Sequence, residues 1–373
     1  MIKKILFTIL ILQPLLGFSQ IPQLSDKAVF SILTVGVSNE SHTLYGHTAL
    51  RVKDSVAGFD VVYNYGMFDF RTPNFLLKFT KGDLQYYAAV YPYADFEYSY
   101  REENRSIYEQ KLNLSLSEKL NLFQKLNQSV FTEEKYYTYK FIDRNCTTKV
   151  IEVVNSVLQD KPIKNTVHQS ESYREVLYGY QQDQCYLNLG INIIFGHRPD
   201  EQAKVLFLPL DLMEVLKTTQ HNGTRLAENP QTLFEAQAQA QRFSFFNSIL
   251  PLSILLLMVV IINKKGLNHL YLIMMSLVGL FLFAVSLYSE HREVLWNYNI
   301  LLFNPLYLVL VYFMIKKNTI WAGKVALICF LGLAAYLFYM INKVHVSLLL
   351  PFIIATGTLL LRLYFKEKTS AFK

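Results

Sequence analysis

The C-terminal third of the chain carries almost no charged side chains, and this feature constrains the fold more than any other. Five segments of this part contain no Lys, Arg, Asp or Glu. They are 243–263, 266–289, 294–315, 325–342 and 344–361, with lengths of 21, 24, 22, 18 and 18 residues. A helix needs about 20 apolar residues to cross the hydrocarbon core of a bilayer. Because lipid cannot satisfy backbone polar groups, a single spanning segment must be helical. The sequence therefore predicts an all-α bundle of about five transmembrane helices over residues 243–373.

The first residues have the features of an export signal. Lys3 and Lys4 precede a mainly apolar stretch, 5–16, and small side chains follow at Gly17 and Ser19. Such a stretch is too short to cross a bilayer as a helix, so an uncleaved anchor is the weaker alternative. We predict a signal peptide over residues 1–19 and export of the segment that follows.

The distribution of basic residues agrees with export of the N-terminal part. If that part is outside, the first span runs inward, and only Arg292 and Lys343 remain outside. The basic residues that then fall inside are Lys264, Lys265, Lys316, Lys317, Lys324, Arg362, Lys366, Lys368 and Lys373. Basic residues prefer the cytoplasmic side of a membrane, so much of the net charge of +7 reflects topology. This argues against a nucleic-acid partner.

Residues 20–220 have the pattern of one α+β domain. Apolar runs at 28–35, 48–52, 60–65 and 86–93 predict strands that form an antiparallel meander. Helical spacing of apolar residues follows Ser115 and, more clearly, Cys146. Residues 221–242 are polar and rich in Ala, Gln and Asn, and we predict that they form a linker to the membrane bundle.

Cys146 stands at the start of the second of these helices. A thiol in the first turn faces the positive end of the helix dipole and unpaired backbone N–H groups, which favour the thiolate. The same groups can stabilise an oxyanion during acyl transfer. Cys146 is therefore a candidate nucleophile. The alternatives are a small packing residue or a disulfide with Cys185.

His47 and Asn64 are the candidate partners of this thiol. His47 opens a predicted strand directly after Gly46, where it can accept the thiol proton. Asn64 lies on the next predicted strand and can orient the second ring nitrogen, with Tyr63 or another polar group as a substitute. The alternative for His47 is an ordinary turn residue. Three cysteines and scattered histidines predict neither a metal site nor a cofactor.

Two further regions are candidates for substrate contact. The aromatic residues between Phe59 and Tyr100 form either the core of the sheet or an apolar groove for acyl chains. The polar loop 289–299 either marks the membrane interface or binds a lipid headgroup. The substrate-binding candidates are Tyr45, Arg144, His291, Arg292, Trp296 and Asn297.

Several motifs occur together and in order. They are YGHTALRV at 45–52, VVYNYGMFDF at 61–70, EQKLNLS at 109–115 and NCTT at 145–148, and the apolar spans follow them. Together they resemble the Lnb-type lipoprotein N-acyltransferases of Bacteroidota, in which an exported thiol domain precedes a membrane bundle. The order of His before Cys also resembles a circularly permuted papain-like fold.

The resemblance implies a function that the residue patterns alone leave open. It implies that Cys146 is the nucleophile and His47 the base, while the third residue and the role of 289–299 are not fixed by it. The implied partners are a phospholipid acyl donor, a diacylated lipoprotein acceptor and the lipid bilayer, without a cofactor. The implied location is the bacterial inner membrane, with the N-terminal domain in the periplasm. The alternatives are a papain-like hydrolase of cell-wall peptides or lipids and a non-enzymatic receptor or assembly factor.

Overall fold

The computed structural model describes residues 24–38, 43–237 and 243–371. The predicted signal peptide, residues 1–19, lies outside the described residues. The described chain forms an α+β domain followed by a helical region, which confirms the predicted fold class.

In the described residues of the first domain, seven strands form one antiparallel sheet. The strands are β1 Val29–Val35, β2 His47–Asp54, β3 Phe59–Met67, β4 Gln85–Pro92, β5 Ile107–Lys111, β6 Tyr136–Thr138 and β9 Gln231–Phe234. Their order across the sheet is β6-β4-β3-β2-β1-β5-β9, so the predicted meander is its centre and three short strands extend its edges. A separate small hairpin is formed by β7 Gln220–His221 and β8 Thr224–Arg225.

In the described part of this domain, seven α-helices accompany the sheet. They are α1 Phe75–Lys81, α2 Tyr93–Glu102, α3 Leu116–Phe131, α4 Cys146–Asn155, α5 Tyr173–Tyr180, α6 Cys185–Ile194 and α7 Pro209–Leu216. The two predicted helices are α3 and α4, and each begins with a capping box, Ser115 with Glu118 and Asn145 with Thr148. In a capping box the side chains at both positions satisfy backbone N–H groups that the helix leaves unpaired.

Side chains alternate between the two faces of the central strands, so the domain has a core on each face. On one face Phe30, Ile32 and Leu50 pack with Leu122 of α3 and Val150 of α4, all fully buried. Burial of each such side chain stabilises the fold by about 1.5–3 kcal/mol. On the other face, Leu33, Val35, Ala49 and Val62 pack against Phe96 of α2. The sheet is therefore covered on both sides, and the site forms at one end of it.

The sheet extends into the segment 221–242 that the composition predicts as a linker. β9 pairs with β5, Glu109 opposite Gln231, and Leu233 and Phe234 pack on the α2 side of the sheet. Backbone pairing at a sheet edge depends little on side-chain composition, so the polar sequence gives little sign of it.

The C-terminal helices are α8 Leu250–Ile262, α9 Lys265–Tyr288, α10 Leu306–Ile315, α11 Thr319–Met340 and α12 Val346–Ala371. Among the described residues four segments are long and apolar enough to cross a membrane, namely Lys265–Tyr288, Arg292–Ile315, Thr319–Met340 and Val346–Phe365. The second of these is not one helix, because two 3₁₀ turns precede α10.

These four segments and the shorter α8 together occupy the five predicted spans. The first predicted span holds α8, which has 13 residues and a length of about 20 Å. Pro251 lies in its first turn, and Asn263 ends it in the left-handed conformation. The side chain of Asn247 bonds to the backbone of Asp183 and Cys185, so the residues before α8 are held by the first domain.

The first domain and the helical region pack together. Cys185 and Leu189 of α6 are buried in the same cluster as Leu272 of α9 and Tyr336 of α11. The loop after α9 also bonds to the first domain, where the backbone N–H of Glu290 donates to the carbonyl of Lys81 at 2.6 Å. The catalytic candidates are thus held at a fixed position relative to the membrane-type helices.

Candidate active site

Cys146 is the first residue of α4 and is partly exposed to solvent. The preceding Asn145 accepts a hydrogen bond from the backbone N–H of Thr148 at 3.0 Å. Its amide nitrogen donates to the carbonyls of Phe141 and Phe207, at 2.8 and 2.9 Å. These bonds fix the start of the helix, and the N–H groups of its first turn have no acceptor within the helix itself. Cys146 is therefore partly exposed, at the helix end whose N–H groups have no acceptor within the helix.

His47 and Asn64 are brought together by the pairing of β2 with β3. Ala49 stands opposite Asn64 in this pairing, so His47 and Asn64 are diagonal neighbours. The Nε2 atom of His47 lies 3.0 Å from the Oδ1 atom of Asn64, whose side chain is fully buried. An amide oxygen only accepts, so Nε2 carries the proton in this bond. Nδ1 is then the ring nitrogen available to Cys146.

The pKa values of the thiol and the imidazole shift toward each other. Burial by itself would raise the pKa of Cys146. The charge and hydrogen bond of His47 lower this pKa, and hydrogen bonds from the Thr48 N–H and the Thr147 hydroxyl lower it further. Burial would lower the pKa of His47, but interactions with Cys146 and Asn64 raise it. An opposite charge nearby favours the ionised form of each group. The pair is therefore biased toward thiolate and imidazolium.

The thiol and the imidazole are held by a contact between α4 and β2. The Thr147 hydroxyl lies 2.9 Å from the Thr48 hydroxyl, and both side chains are fully buried. Each of these threonines is adjacent in sequence to a catalytic candidate. The hydrogen bond therefore fixes the register of helix against strand at the site.

Gly66 opens the space beside the thiol. The register of β3 against β4 shifts between Asn64 and Met67, and Gly66 has φ +91°. A Cβ atom on Gly66 would lie 3.6 Å from the Tyr139 ring and 3.8 Å from the Cβ of Cys146. Glycine in a strand interior often marks such a bulge. A glycine within an aromatic strand is thus the sequence signal for Gly66, a position that the motifs do not single out.

Tyr100 and Arg105 complete the surroundings of His47. The rings of Tyr100 and His47 stack with centroids 6.1 Å apart, and the Arg105 guanidinium lies 4.9 Å from the centre of the Tyr100 ring. Arg105 is buried and donates to the carbonyl of Gly36 and to Glu103, both at 3.0 Å. Its charge opposes the rise in the pKa of His47. No motif identifies these two residues in the sequence.

Tyr45 and Arg144 flank the site, and their side chains contact residues other than Cys146, His47 and Asn64. The Tyr45 hydroxyl accepts a hydrogen bond from Gln181 at 2.7 Å, and its ring meets that of Phe141 edge-on. Arg144 is exposed, with its guanidinium 5.3 Å from the centre of the Tyr137 ring. Substrate contact by these two residues stays a prediction.

The loop candidates divide into two groups. His291 donates from Nε2 to the carbonyl of Phe79 at 2.9 Å, and Asn297 donates to the carbonyls of Ile193 and Ile194, both at 2.9 Å. These two side chains join the loop to the first domain. The side chains of Arg292 and Trp296 remain accessible. Arg292 lies 3.7 Å from a carboxylate oxygen of Asp143, and Trp296 is 84% exposed. A role of the loop in lipid binding stays a prediction.

The three cysteines are free thiols. The alternative of a disulfide between Cys146 and Cys185 is therefore wrong for this structure, since Cys185 lies in α6 against the membrane-type helices. Burial raises the pKa of Cys185, which is opposite to the shift of Cys146. Within the part of the chain that the structure describes, no group of three His, Cys, Asp or Glu side chains is placed to hold a metal ion.

Fold and site together define a membrane protein whose exported α+β domain carries Cys146, His47 and Asn64 in one constellation. Residues 23–179 match the family model described as the Lnb N-terminal periplasmic domain, and the match includes all three residues. The N-terminal domain is therefore an Lnb-type periplasmic domain, and membrane-capable helices follow it. No curated protein and no solved structure matches the chain.

Proposed function

We propose that this protein is a lipoprotein N-acyltransferase that moves an acyl chain through a thioester on Cys146. The observation that carries the proposal is the arrangement of Cys146, His47 and Asn64 in a domain packed against membrane-type helices. The donor is a phospholipid, and the acceptor is the α-amine of a diacylglyceryl-cysteine lipoprotein. Because both substrates reside in a bilayer, an enzyme that joins them gains from a membrane anchor.

The first half of the reaction loads the cysteine. His47 accepts the proton of the Cys146 thiol, and the thiolate attacks the carbonyl carbon of a phospholipid acyl ester. The carbon–sulfur bond forms, the ester carbon–oxygen bond breaks, and the imidazolium gives its proton to the leaving alkoxide. The products are a thioester on Cys146 and a lysophospholipid. Asn64 keeps the imidazole oriented through both proton transfers.

The second half unloads the acyl chain onto the lipoprotein. The α-amine attacks the thioester carbonyl, and neutral His47 takes one proton from the attacking nitrogen. The carbon–nitrogen bond forms and the carbon–sulfur bond breaks, so the thiolate and imidazolium are restored. The product is an amide, and the lipoprotein becomes triacylated.

Both half-reactions pass through a tetrahedral intermediate with a negatively charged oxygen. The backbone N–H groups of Cys146 and Thr147 lie in the first turn of α4, and the backbone N–H of Thr48 helps to lower the pKa of the Cys146 thiol. Such donors act on the charge that develops during the reaction, and removal of one typically costs about 100-fold in rate. The start of α4 therefore supplies both the nucleophile and its oxyanion donors.

The proposed topology has five crossings of the inner membrane. Residues 289–291 bond to the periplasmic domain, so the C-terminal end of α9 is periplasmic and Lys265 at its other end is cytoplasmic. The chain between the periplasmic domain and Lys265 must then cross too, with residues 243–249 supplementing the short α8. The periplasmic Lys343 lies 3.3 Å from an oxygen of Asp200, which fits its place outside.

The decisive experiment replaces Cys146 by alanine in cells that lack other lipoprotein N-acyltransferases. Mass spectra of the N-terminal lipopeptides should change from triacylated to diacylated. Cys185→Ala is the matched control, because Cys185 is a thiol outside the site, and it should leave the spectra unchanged. Triacylated lipopeptides in the Cys146→Ala strain would overturn the proposal.

A purified preparation separates the alternatives. Labelled phospholipid incubated with the protein and a diacylated lipopeptide should give labelled triacylated lipopeptide. Free fatty acid without lipopeptide acylation would instead indicate a hydrolase. A receptor or assembly factor would be indicated if His47 and Cys146 were both dispensable in cells.

A further inference from the structure

We propose that α1, with the aromatic residues that connect it to Cys146, forms the path by which an acyl chain of a periplasmic-leaflet phospholipid reaches the thiol. The proposal deepens the proposed function and rests on it for the fate of the acyl chain. The location of α1 in lipid is a separate statement, and it can be tested without any activity.

α1 is a largely apolar helix that the protein covers only in part, where Phe75 packs against the core of the domain. None of its seven residues is buried, and Leu76 and Leu77 are 72% and 66% exposed. Phe70, in the turn before the helix, is 74% exposed. A helix of this length is unstable in water without packing, and clustered exposed apolar side chains mark a contact surface.

The contacts of α1 identify lipid as the material that covers it. The carbonyls of Phe79, Thr80 and Lys81 accept hydrogen bonds from His291, Ser289 and the backbone of Glu290, which directly follow α9. α1 therefore lies level with the end of a membrane-spanning segment, where the bilayer surface must be. Lys78 and Lys81 are in its last turn, as basic side chains are in interfacial helices.

α1 and the end of α9 are in direct contact. A Cβ atom on Gly82, which follows α1, would lie only 2.9 Å from the His291 ring. The surface of α1 is thus continuous with the surface of the bundle, and lipid that surrounds α9 also reaches α1.

A row of aromatic contacts leads from α1 to the thiol. The ring centroids are 6.1 Å apart for Phe79 and Phe75, 5.9 Å for Phe75 and Phe68, 5.3 Å for Phe68 and Tyr86, and 4.5 Å for Tyr86 and Tyr139. Tyr139 and Cys146 then lie on either side of the space above Gly66. The row joins α1 to the nucleophile through ring-to-ring contacts, and its last two members, Tyr86 and Tyr139, carry hydroxyl groups.

The aromatic residues between Phe59 and Tyr100 therefore fall into two groups, those of the domain core and those of the proposed path. Tyr63 and Tyr65 belong to the core, where their hydroxyls lie 2.8 Å from the side-chain oxygens of Asn127 and Ser129 in α3. Phe68 and Phe75 are only partly buried and pack against that core, while Phe70 is largely exposed. The exposed members are the ones that continue into α1.

The first experiment measures whether α1 is in lipid. The two tryptophans of the chain are replaced by phenylalanine, and a single tryptophan is introduced as Leu76→Trp. The full chain is reconstituted in vesicles of dibrominated phosphatidylcholine, whose bromines quench nearby tryptophan. Val56→Trp is the matched control, because Val56 is 64% exposed in the turn at the far end of β2 from His47.

We expect at least threefold stronger quenching at position 76 than at position 56. Equal quenching at both positions would overturn the placement of α1. Because this measurement needs no turnover, it remains decisive even if the protein proves to have another activity.

The second experiment tests the path itself with the double variant Leu76→Glu and Leu77→Glu. Acyl transfer from vesicle phospholipid should fall at least tenfold, while alkylation of Cys146 by iodoacetamide keeps its wild-type rate. An unchanged transfer rate would overturn the path. If the wild-type chain transfers no acyl group, the proposed function fails instead, and the quenching result at position 76 stands independently.

Discussion

The Nε2 atom of His47 is 3.0 Å from the Oδ1 atom of Asn64, which joins the first residue of one strand to the interior of the next. This hydrogen bond orients the ring through Nε2, and Nδ1 stays available to the Cys146 thiol. Because Asn64 is fully buried, the bond is shielded from competing water. The orientation of the base is thus built into the pairing of β2 with β3.

Replacement of Asn64 by alanine should lower the rate of acyl transfer by about 10- to 100-fold, since general-base catalysis depends on the position of the base. It should also lower the pKa of His47, because Asn64 raises it. The measurement is the pH profile of transfer, in which the alkaline limb should move to lower pH. Asn113→Ala on the exposed surface is the control. An unmoved alkaline limb would argue that Asn64 does not orient the base.

Alkylation of Cys146 should reveal its lowered pKa. A thiol with a lowered pKa is more ionised at a given pH, so iodoacetamide should react with Cys146 at a lower pH than with an ordinary thiol. The variant His47→Gln removes the main attraction for the thiolate, so its alkylation profile should shift to higher pH. Identical profiles for the two proteins would show that His47 does not act on the thiol. Cys185→Ala in both backgrounds removes the second thiol of the exported domain from the signal.

Gly66→Ala should reduce both stability and activity. Its left-handed backbone costs a non-glycine residue about 1–2 kcal/mol, and the added Cβ would occupy the space beside Cys146. Gly58→Ala is a matched control, because Gly58 also has a positive φ, +75°, but nothing lies within 4 Å of the added atom. Thermal unfolding should therefore respond to both variants, and acyl transfer only to Gly66→Ala. Equal transfer by the two variants would contradict a role for this space.

His221 gives a separate pH dependence, away from the site. Its ring nitrogens lie 2.7 Å from a carboxylate oxygen of Glu118 and 2.8 Å from one of Asp160. Burial by itself would lower the pKa of His221, but these two carboxylates raise it above the ordinary value. A raised folded-state pKa stabilises the fold at pH values below the unfolded pKa of about 6.5, and the gain is lost as pH rises through the folded value. The wild-type protein should thus have a larger free energy of unfolding than His221→Gln, and this difference should be larger at pH 6 than at pH 9. A difference that grows with pH would have the wrong sign.

Local patterns were sufficient to single out the three residues that the structure brings together. Cys146 follows a helix cap, and His47 follows a glycine at a strand start, so short-range signals locate both. Asn64 required only that two adjacent strands pair. These features depend on neighbours in sequence, which is why they could be identified without coordinates.

Other features depend on contacts that no local pattern encodes. Tyr100 and Arg105 reach His47 from α2 and the turn after it, more than fifty positions along the chain. The bonds of His291 and Asn297 to the first domain depend on how two separately folded parts meet. The short α8 likewise reflects where the preceding chain is held, because uncharged composition fixes a segment's polarity but not its helical length.

The bonds between α1 and the residues after α9 are made to main-chain carbonyls rather than to side chains of the helix. Substitutions of α1 side chains therefore leave these bonds in place, and peptide geometry sets the position of α1 against the end of α9. The apolar side chains of that helix can change without altering how it is attached.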